Sequence, residues 1–450
     1  MRSMKHKRNL FHPDYKREPF WWQASCPDDE YSGSLPSSTD VVVVGSGYTG
    51  LSAALELIRA GLHVTVVEAL AFGEGASSRS GGGVSAGVNI GKGISGGPGQ
   101  SKKFARDTTL LKSLMLESLS AFELVEKLVR EENIQCHFER RGRFIGAINK
   151  QHYEEMKTKA DYLNEVIKVG ARLIPQDEQH KEIGSSFYNG GMVIEKAAKL
   201  HPSLFHRGLL NACYKAGVKL CSRTKVTRIR RSRGKFEIFT ESGKINAEQV
   251  IIATNGYTGD LSPILRKHIV PVSSQIIVTE DLPKELSAEL IPNGRTISES
   301  SRVTNYYRLL PGDRRVMYGG RARFNSIHPD ISAQLLHNMM IKRWPQIKEA
   351  RITHSWSGFV AMTADSLPHI GVQNGIHFCT GCNGSGIAMM TYLGKKTAER
   401  IVDGSNFKSA YLDIDFPKVP VPFYRGNPWF LPIIGNYYRY LDRIEHQNNG

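Results

Sequence analysis

The sequence of 450 residues predicts an α/β fold in which a parallel sheet flanked by helices joins a second, antiparallel sheet. The first observation is a continuous β-branched run at residues 41–44, typical of a strand buried on both faces. The second is helical spacing of apolar residues over 51–60, ended by Gly61. The third is another apolar strand at 64–67. Together these segments predict a βαβ unit, the core of a Rossmann-like domain.

The turn between the first strand and the helix, residues 45–50, has the pattern GxGxxG. Gly45 permits the tight turn, Gly47 lets a pyrophosphate approach main-chain N–H groups, and Gly50 lets the helix pack closely on the strand. The N-terminus of the helix stabilises the phosphate charge. We therefore predict that the whole turn binds a dinucleotide, through Gly45, Ser46, Gly47, Tyr48, Thr49 and Gly50.

Glu68 stands at the end of the second strand, where the ribose hydroxyls of such a nucleotide need an acceptor. Its carboxylate repels a 2′-phosphate, so the sequence favours FAD or NAD over NADP. Glu68 and its neighbour Ala69 are therefore predicted to bind the cofactor.

The rest of the chain alternates between helical and strand patterns. Helices are predicted over residues 103–130, 154–169, 200–216, 331–344 and 386–402. Strands are predicted at 143–148, in a meander over 226–252, and at 270–279, 305–310, 315–320 and 376–379. The strands between 270 and 320 alternate in polarity, as expected for an antiparallel sheet that the helix at 331–344 covers on one face.

Composition sets the broad class. Hydrophobic content of 40% is ordinary for a globular protein, and no window of apolar residues is long enough to span a membrane or direct secretion, so a cytoplasmic protein is expected. The six cysteines are too scattered for a disulfide framework, and the CxxC of Cys379 and Cys382 lacks the second pair that a zinc site needs, so no metal is expected.

The net charge of +16 suits nucleic acid, an anionic membrane or an acidic substrate. Part of the excess lies at residues 1–17, and part at 225–235. The second cluster follows a strand–turn pattern that is typical of a solvated face, so no nucleic-acid partner is expected.

Three further segments, read together with DVVVVGSGYTGLSAA at residues 40–54, resemble the D-amino acid oxidase superfamily of flavoproteins. They are GEGASSRSGG at 73–82, VIIATNGYTG at 250–259, and TADSLPHIG with CTGCNGSGIA between 363 and 388. From about residue 20 to 443, including YYRLLPGDRRVMYGGR and the tail YRGNPWFLPIIGNYYRYLDR, the chain is most similar to the gamma-glutamylputrescine oxidase branch. The resemblance implies FAD in a glutathione-reductase-type domain.

The resemblance also extends the cofactor site along the chain. It implies that FAD contacts Gly75, Ala76, Ser77, Ser78, Arg79, Gly81, Gly82, Val226, Ala253, Thr254, Asn255, Gly381, Asn383, Gly384, Ser385, Gly386 and Ile387. One departure is Ser385, which stands where the family commonly has His. Covalent members attach the flavin at places that here hold Arg79 and Gly358, and neither side chain forms such a bond, so non-covalent FAD is expected.

The same resemblance suggests how the chain divides. We expect an arm at 1–38, an FAD-binding domain at 39–100, 185–265 and 355–405, a substrate domain at 101–184 and 266–354, and a tail at 406–450.

In this superfamily a hydride passes from the carbon beside an amine nitrogen to the flavin, and the resulting imine is hydrolysed. The implied substrate is an amino acid, an N-alkyl amino acid or a gamma-glutamyl polyamine, and the acceptor is oxygen or a quinone. Main-chain N–H groups at 384–387 are expected to stabilise negative charge on the flavin. Tyr307, Arg308 and Ser385 are the candidate catalytic residues.

Arg308 is expected to bind a substrate carboxylate in a bidentate manner, with Arg321 and Arg323 as further candidates. Strand alternation places Tyr306 and Arg308 on one face and Tyr307 on the other, and packing is as common a role for each. Trp356, Phe359, His354 and His369 fit core positions better than catalytic ones. Met317 replaces a lysine that activates oxygen in sarcosine oxidases, so slow reaction with oxygen is expected.

Three alternatives stay open. A flavoprotein driven by NAD(P)H usually needs a second nucleotide-binding motif, and the sequence has no other GxGxxG between a buried strand and a helix. A flavin domain that modifies a tRNA uridine fits the net charge, but the basic cluster is predicted to lie away from the flavin. A non-catalytic flavin-binding module would differ from an enzyme in showing no substrate-dependent bleaching.

Overall fold

A computed structural model describes residues 9–86, 108–412 and 414–447. Its helices are α1 Tyr48–Arg59, α2 Thr108–Glu131, α3 Lys150–Ile167, α4 Pro202–Lys215, α5 Lys284–Leu290, α6 Pro329–Arg343, α7 Thr391–Asp403 and α8 Leu431–Gln447. Its strands are β1 Phe11–Lys16, β2 Ser38–Val44, β3 Val64–Val67, β4 Gly83–Ser85, β5 Arg143–Gly146, β6 Ala171–Ile174, β7 Gly191–Ile194, β8 Ala197–Lys199, β9 Lys219–Cys221, β10 Val226–Ser232, β11 Lys235–Thr240, β12 Gly243–Ile252, β13 Ile269–Thr279, β14 Thr296–Glu299, β15 Tyr306–Leu309, β16 Val316–Gly320, β17 Ile352–Thr363, β18 His369–Gln373 and β19 Ile376–Thr380.

The βαβ unit lies at the centre of an eight-stranded sheet with the order β10-β11-β12-β2-β3-β9, which β19 and β18 join through β12. Strand β2 pairs in parallel with β3 on one side and β12 on the other, so its valines are buried on both faces. The helix α7 crosses the start of α1 so closely that a Cβ at Gly394 would overlap the main chain of Thr49. Helix α7 is therefore packed against the end of the predicted phosphate-binding turn.

The second sheet has nine strands in the order β1-β17-β13-β16-β15-β14-β5-β7-β6. Most neighbours are antiparallel, whereas β1 with β17 and β14 with β5 are parallel. Alternate residues of the central strands, among them Phe144, Ile297, Tyr307 and Tyr318, pack with α6 in one apolar core. The residues between them face the other way, toward the eight-stranded sheet.

Both ends of the chain differ from the sequence prediction. The arm contributes a strand, β1, because its apolar residues pair with β17 at the edge of the nine-stranded sheet. Residues 406–450, expected only as a tail, contain the helix α8. The first residues of the helix predicted at 103–130, and the predicted FAD-domain residues 87–100, lie outside the described residues.

The domain boundaries drawn from the sequence do not follow sheet membership. Strand β7 and the whole of β17, most of which were assigned to the FAD-binding domain, pair within the nine-stranded sheet. Strands β7 and β17 are both apolar runs. An apolar run predicts that a strand is buried, but it does not predict which sheet the strand joins. Within the part of the chain that the structure describes, no helix has the length and hydropathy to cross a membrane.

Candidate active site

A cavity of about 950 Å³ lies between the two sheets. Residues that follow the carboxyl ends of β2, β3 and β12 line one wall, and cavity-facing residues of the nine-stranded sheet line the other. The carboxyl edge of an open parallel sheet is where such folds bind nucleotides. The volume is at the upper end of the range for small-molecule and cofactor sites.

The turn at residues 45–50 leads directly into the cavity. Gly45 has a φ of +104°, which a residue with a side chain rarely adopts. A Cβ at Gly50 would overlap the carbonyl oxygen of Gly45, so only glycine allows α1 to pack this closely on the turn. The N-cap residue of α1, Gly47, has no side chain to cap the helix, and of the first N–H groups that of Tyr48 donates to the Ser77 hydroxyl at 3.1 Å. The helix therefore presents main-chain N–H groups and its positive end to the cavity.

Glu68 borders the same end of the cavity. Its Oε2 accepts hydrogen bonds from the main-chain N–H of Ser46 at 2.9 Å and from the Ser46 hydroxyl at 2.8 Å. Behind the turn, the ring Nε2 of the buried His206 lies 2.8 Å from the Ser46 carbonyl oxygen and donates to it. Burial lowers the pKa of His206 to about 4, so the ring is neutral at physiological pH. The phosphate-binding turn is thus held from both sides.

The glycine-rich loop at 73–82 closes the next part of the wall. Trp21 and Trp22 of the arm donate indole N–H hydrogen bonds to the Ser80 carbonyl and the Ser78 hydroxyl, each at 2.8 Å. Arg79 stacks over the ring of Trp22 at 4.5 Å. The arm therefore fastens the loop that contributes to the cavity.

Arg79 and Gly358, the two positions that the sequence compares with covalent attachment points, lie against each other at the cavity. A Cβ at Gly358 would be 3.4 Å from the Cβ of Arg79. Neither residue offers a group that bonds to the flavin, so non-covalent FAD stays the prediction.

Most of the predicted cofactor residues come together around this one cavity. Those that line it are Gly45, Ser46, Gly47, Tyr48, Thr49, Glu68, Ala69, Gly75, Ala76, Ser77, Arg79, Gly81, Gly82, Val226, Ala253, Thr254, Asn255, Asn383, Gly384, Ser385, Gly386 and Ile387.

Gly50, Ser78 and Gly381 lie behind the wall. Gly50 packs on Gly45 as described, Ser78 donates to the carbonyl of Gly73, and the N–H of Gly381 donates to Asn255 Oδ1 at 3.0 Å. They support the surface that the other predicted residues form.

The segment before α7 closes the end of the cavity. Gly384 has a φ of +92°, and the chain then makes one π-helical turn, Gly386–Met390, before α7 begins. Single π turns occur often at functional sites, because they expose main-chain groups that a regular helix would use internally. Ser385, the residue that departs from the family pattern, lines the cavity at this turn.

The opposite wall consists of side chains from the nine-stranded sheet. Tyr306 and Arg308 of β15 and Met317 of β16 face the cavity, as the predicted alternation requires. The hydroxyl of Tyr306 lies 3.0 Å from that of Ser274. A Cβ at Gly81 would be 3.2 Å from the Met317 methyl group, so this sheet and the glycine-rich loop enclose the cavity between them.

Tyr307 points to the other face of its strand. Its ring stacks on Tyr318 with centroids 5.2 Å apart, and its hydroxyl meets that of Tyr188 in the core. Burial raises the pKa of Tyr307 well above its ordinary value. This placement gives no support to the predicted catalytic role of Tyr307, because period-two alternation turns its side chain away from the cavity.

Arg308 is buried, and main-chain carbonyls already bind its guanidinium. Its Nη1 donates to the carbonyls of Leu200 at 2.8 Å and Gly82 at 3.2 Å, and its Nε donates to the carbonyl of Leu309 at 3.1 Å. A guanidinium used in this way has few donors left for a bidentate contact to a carboxylate. The predicted clamp on Arg308 is therefore not what its geometry favours, and Arg323, which is exposed, does not line the cavity.

Two other arginines line the same wall. Arg321, just beyond β16, makes a long contact of 3.8 Å from Nη2 to the Met362 sulfur and lies 6.0 Å from the ring centroid of Phe324. Arg143 of β5 donates to the Ser298 hydroxyl at 2.7 Å and, more weakly, to that of Ser85 at 3.4 Å. Burial lowers the pKa of Arg143 to about 10, which leaves it charged at neutral pH. Neither arginine pairs with a carboxylate of the described residues. Sequence reasoning missed Arg143 in this role, because no motif surrounds it.

The comparisons with known proteins agree with this geometry. The family described as FAD dependent oxidoreductase matches residues 40–400. The chain belongs to this family. FAD is accordingly its cofactor, and the protein is an oxidoreductase.

Similar proteins cover most of the chain. A probable oxidoreductase OrdL of Rhizobium meliloti (strain 1021) is 30% identical over 421 residues, which is 91% of this chain and 93% of the relative. The gamma-glutamylputrescine oxidoreductase of Escherichia coli (strain K12) is 29% identical, covering 88% of this chain and 90% of the relative. The glycine oxidase structure from Geobacillus kaustophilus has a TM-score of 0.68 at 20% identity. The match covers 86% of this chain and 100% of the glycine oxidase chain. The predicted α/β fold is confirmed.

The residues present fit FAD. A helix end whose N-cap is Gly47, and a turn in which a Cβ at Gly45 or Gly50 would crowd the main chain, suit the pyrophosphate, and the Glu68 carboxylate suits the ribose hydroxyls. Bound there, FAD supplies a two-electron acceptor that the protein side chains do not provide.

Proposed function

We propose that this FAD-dependent oxidoreductase oxidises an amine that also carries a carboxylate. The carbon beside the amine nitrogen loses a hydride to FAD, the nitrogen lone pair forms an imine, and water converts the imine to a carbonyl compound and the released amine or ammonia. The single observation that carries the proposal is the charge of the nine-stranded-sheet wall: Arg143 and Arg321 face the cavity without a carboxylate partner among the described residues.

Guanidinium groups without a counter-ion in a partly enclosed cavity are costly unless a ligand supplies the negative charge. The carboxylates that line the cavity, Glu68 and Asp260, lie on the cofactor side, and the described residues of the nine-stranded-sheet wall contribute none. That wall therefore favours an acidic group and disfavours a second positive charge. It also favours the neutral form of the amine, which is the form that gives up a hydride.

The relatives support the same substrate class. One is named gamma-glutamylputrescine oxidoreductase and another, at 24% identity, glycine oxidase, and both names denote amines that carry a carboxylate. Their names do not choose among amino acids, N-alkyl amino acids and gamma-glutamyl polyamines for this chain.

We assign the carboxylate to Arg321. It is the cavity arginine with the fewest protein partners, and it lies beside Tyr306 and Cys382, next to the turn at 383–387. Arg308 acts instead as a positioning residue that holds the Gly82 carbonyl of the glycine-rich loop together with the Leu200 carbonyl.

The test compares an amino acid substrate with its amide in the Arg321→Met enzyme. We expect kcat/KM for the acid to fall by on the order of a hundredfold or more, with a much smaller loss for the amide, because only the acid loses an ion pair in a dry site. Arg323→Met is the matched control, since Arg323 is two residues away and exposed. Flavin content should be unchanged in both.

Arg143→Met in the same assay locates the acidic group. A selective loss in this variant instead of Arg321→Met would move the carboxylate to the β5 side of the cavity. If all three variants keep the wild-type ratio of acid to amide, or if the wild type prefers a simple alkyl amine, the carboxylate assignment is wrong.

A further inference from the structure

The exposed apolar side chains of the molecule concentrate in one segment near its C-terminal end. Of the large hydrophobic residues exposed among the described residues, five fall between 423 and 440: Phe423, Trp429, Ile433, Tyr437 and Tyr440. Phe423 is 94% exposed and Ile433 66%. Scattered exposed apolar residues are normal, whereas a contiguous group marks an interaction surface.

Helical geometry places three of these side chains on one face of α8, and a fourth lies just before the helix. Trp429 precedes α8 by two residues, and Ile433, Tyr437 and Tyr440 follow at spacings of four, four and three, which repeat along one face of a helix. We call these residues and Phe423 the aromatic stripe.

The stripe is held outward by the packing of the opposite face. Phe430, Leu431 and Tyr438 are buried with Phe324 in an apolar cluster. A Cβ at Gly435 would overlap the ring of Phe324, so the helix backbone lies directly on the body. Folding alone therefore leaves the aromatic stripe in solvent.

Charges around the stripe are separated by sign. The acidic residues of α8, Asp442 and Glu445, both pair with Arg302 on the body. Lys418, Arg425 and Arg443 are exposed. The outward side of this segment thus combines aromatic side chains with positive charge, on a chain whose net charge is +16.

We propose that the aromatic stripe docks the enzyme on an anionic lipid surface. Trp, Tyr and Phe beside Lys and Arg are the residues that interfacial helices place at the headgroup boundary, with the rings in the acyl–headgroup region and the cations on the lipid phosphates. The helix lies on the surface and does not cross it. Two weak contributions act together, apolar burial and attraction to anionic headgroups.

A second copy of the chain is the other possible occupant, and the charge pattern disfavours it. A two-fold contact places the same patch on both subunits, so Arg425 and Arg443 of each copy would approach those of the other. Like charges across an interface oppose association, whereas an anionic membrane neutralises them.

The test is flotation of the holoenzyme with lipid vesicles. Wild type should float with vesicles containing about 30 mol% anionic lipid and much less with purely zwitterionic vesicles, and binding should weaken as salt rises. In the triple variant Trp429→Ser, Ile433→Ser, Tyr437→Ser we expect binding to fall by about tenfold or more, because the buried apolar area is lost.

The matched control replaces three other exposed apolar residues, Ile331→Ser, Val372→Ser and Val402→Ser, and should float like wild type. Flavin content and thermal unfolding show whether each variant is folded. A second variant, Arg425→Glu with Arg443→Glu, leaves the aromatic side chains in place and should lose binding to anionic vesicles selectively.

Flotation of both serine triple variants to the same extent as wild type would overturn the proposal. So would a change of oligomeric state in the stripe variant, measured by light scattering, without any vesicle binding by wild type, because the stripe would then be a contact between copies.

Discussion

The two walls of the cavity are built from different parts of the polypeptide. The cofactor-side wall is mostly main chain: the turn at 45–50, the glycine-rich loop at 73–82 and the turn at 383–387. The nine-stranded-sheet wall is mostly side chain, with Tyr306 and Met317 projecting from strands and Arg321 from the residue after β16.

Because of this difference, substitutions in the two walls should have different effects. A wall of main chain depends on positions where no Cβ fits, so a substitution there disturbs folding and cofactor binding together. In the wall of side chains, the residues that face the cavity alternate with those that form the apolar core on the other face of the sheet. A substitution of a cavity residue therefore changes what the cavity recognises and leaves the fold in place.

The largest effect should come from Gly50→Ala. The new Cβ would overlap the Gly45 carbonyl, so α1 must move away from the turn, at a cost of more than about 3 kcal/mol in the free energy of unfolding. Chemical denaturation and flavin absorbance after purification measure both consequences. Gly33→Ala is the control, because a Cβ there meets nothing closer than 3.9 Å. Equal stability of the two variants would remove the distinction between the walls.

Glu68→Lys should have the next largest effect, on cofactor binding instead of folding. The lysine removes the acceptor for ribose hydroxyls and also the partner of the Ser46 N–H and hydroxyl, so we expect FAD affinity to fall by about a hundredfold. Titration of the apoenzyme with FAD, followed by fluorescence quenching, gives the dissociation constant. An unchanged constant would mean that Glu68 does not contact the nucleotide.

Met317→Lys should have a smaller effect, confined to the side-chain wall. Met317 is buried beside Gly81, and a cation there would stabilise the negative charge that develops when oxygen accepts an electron. We expect reoxidation of the reduced enzyme by air to accelerate by about tenfold, with flavin content unchanged. Stopped-flow mixing of photoreduced enzyme with oxygenated buffer measures the rate, and a wild type that already reacts as fast as the variant would contradict the prediction.

The same division explains how far the sequence predicts the site. The cofactor wall is predictable because the residues that form each turn are close together in the sequence. The spacing of Gly45, Gly47 and Gly50, for example, indicates the turn and the helix that follows. The interior of the helices and of the central strands follows from apolar periodicity in the same way.

The sheet wall depends on pairing between distant segments. Arg143 faces the cavity because β5 lies beside β14, where Arg143 is in register with Thr296, and nothing near residue 143 shows that pairing. Alternation correctly separates Tyr306 from Tyr307, but it does not say which face is the interior. The role of Arg308 also needed coordinates, since its partners are carbonyls of the distant Gly82 and Leu200.

The pairing of the arm with β17 has a consequence for biosynthesis. Strand β1 is in register with β17 through Phe11 and Ile352, so the ribosome makes its partner about 340 residues later. At 5–20 residues per second the arm waits about 17–70 s for that strand. Trp21 of the arm shares an apolar cluster with Trp356 of β17, so its packing is incomplete until that strand is made. The packing of the arm is therefore completed only late in synthesis, although the arm is among the first segments to be made.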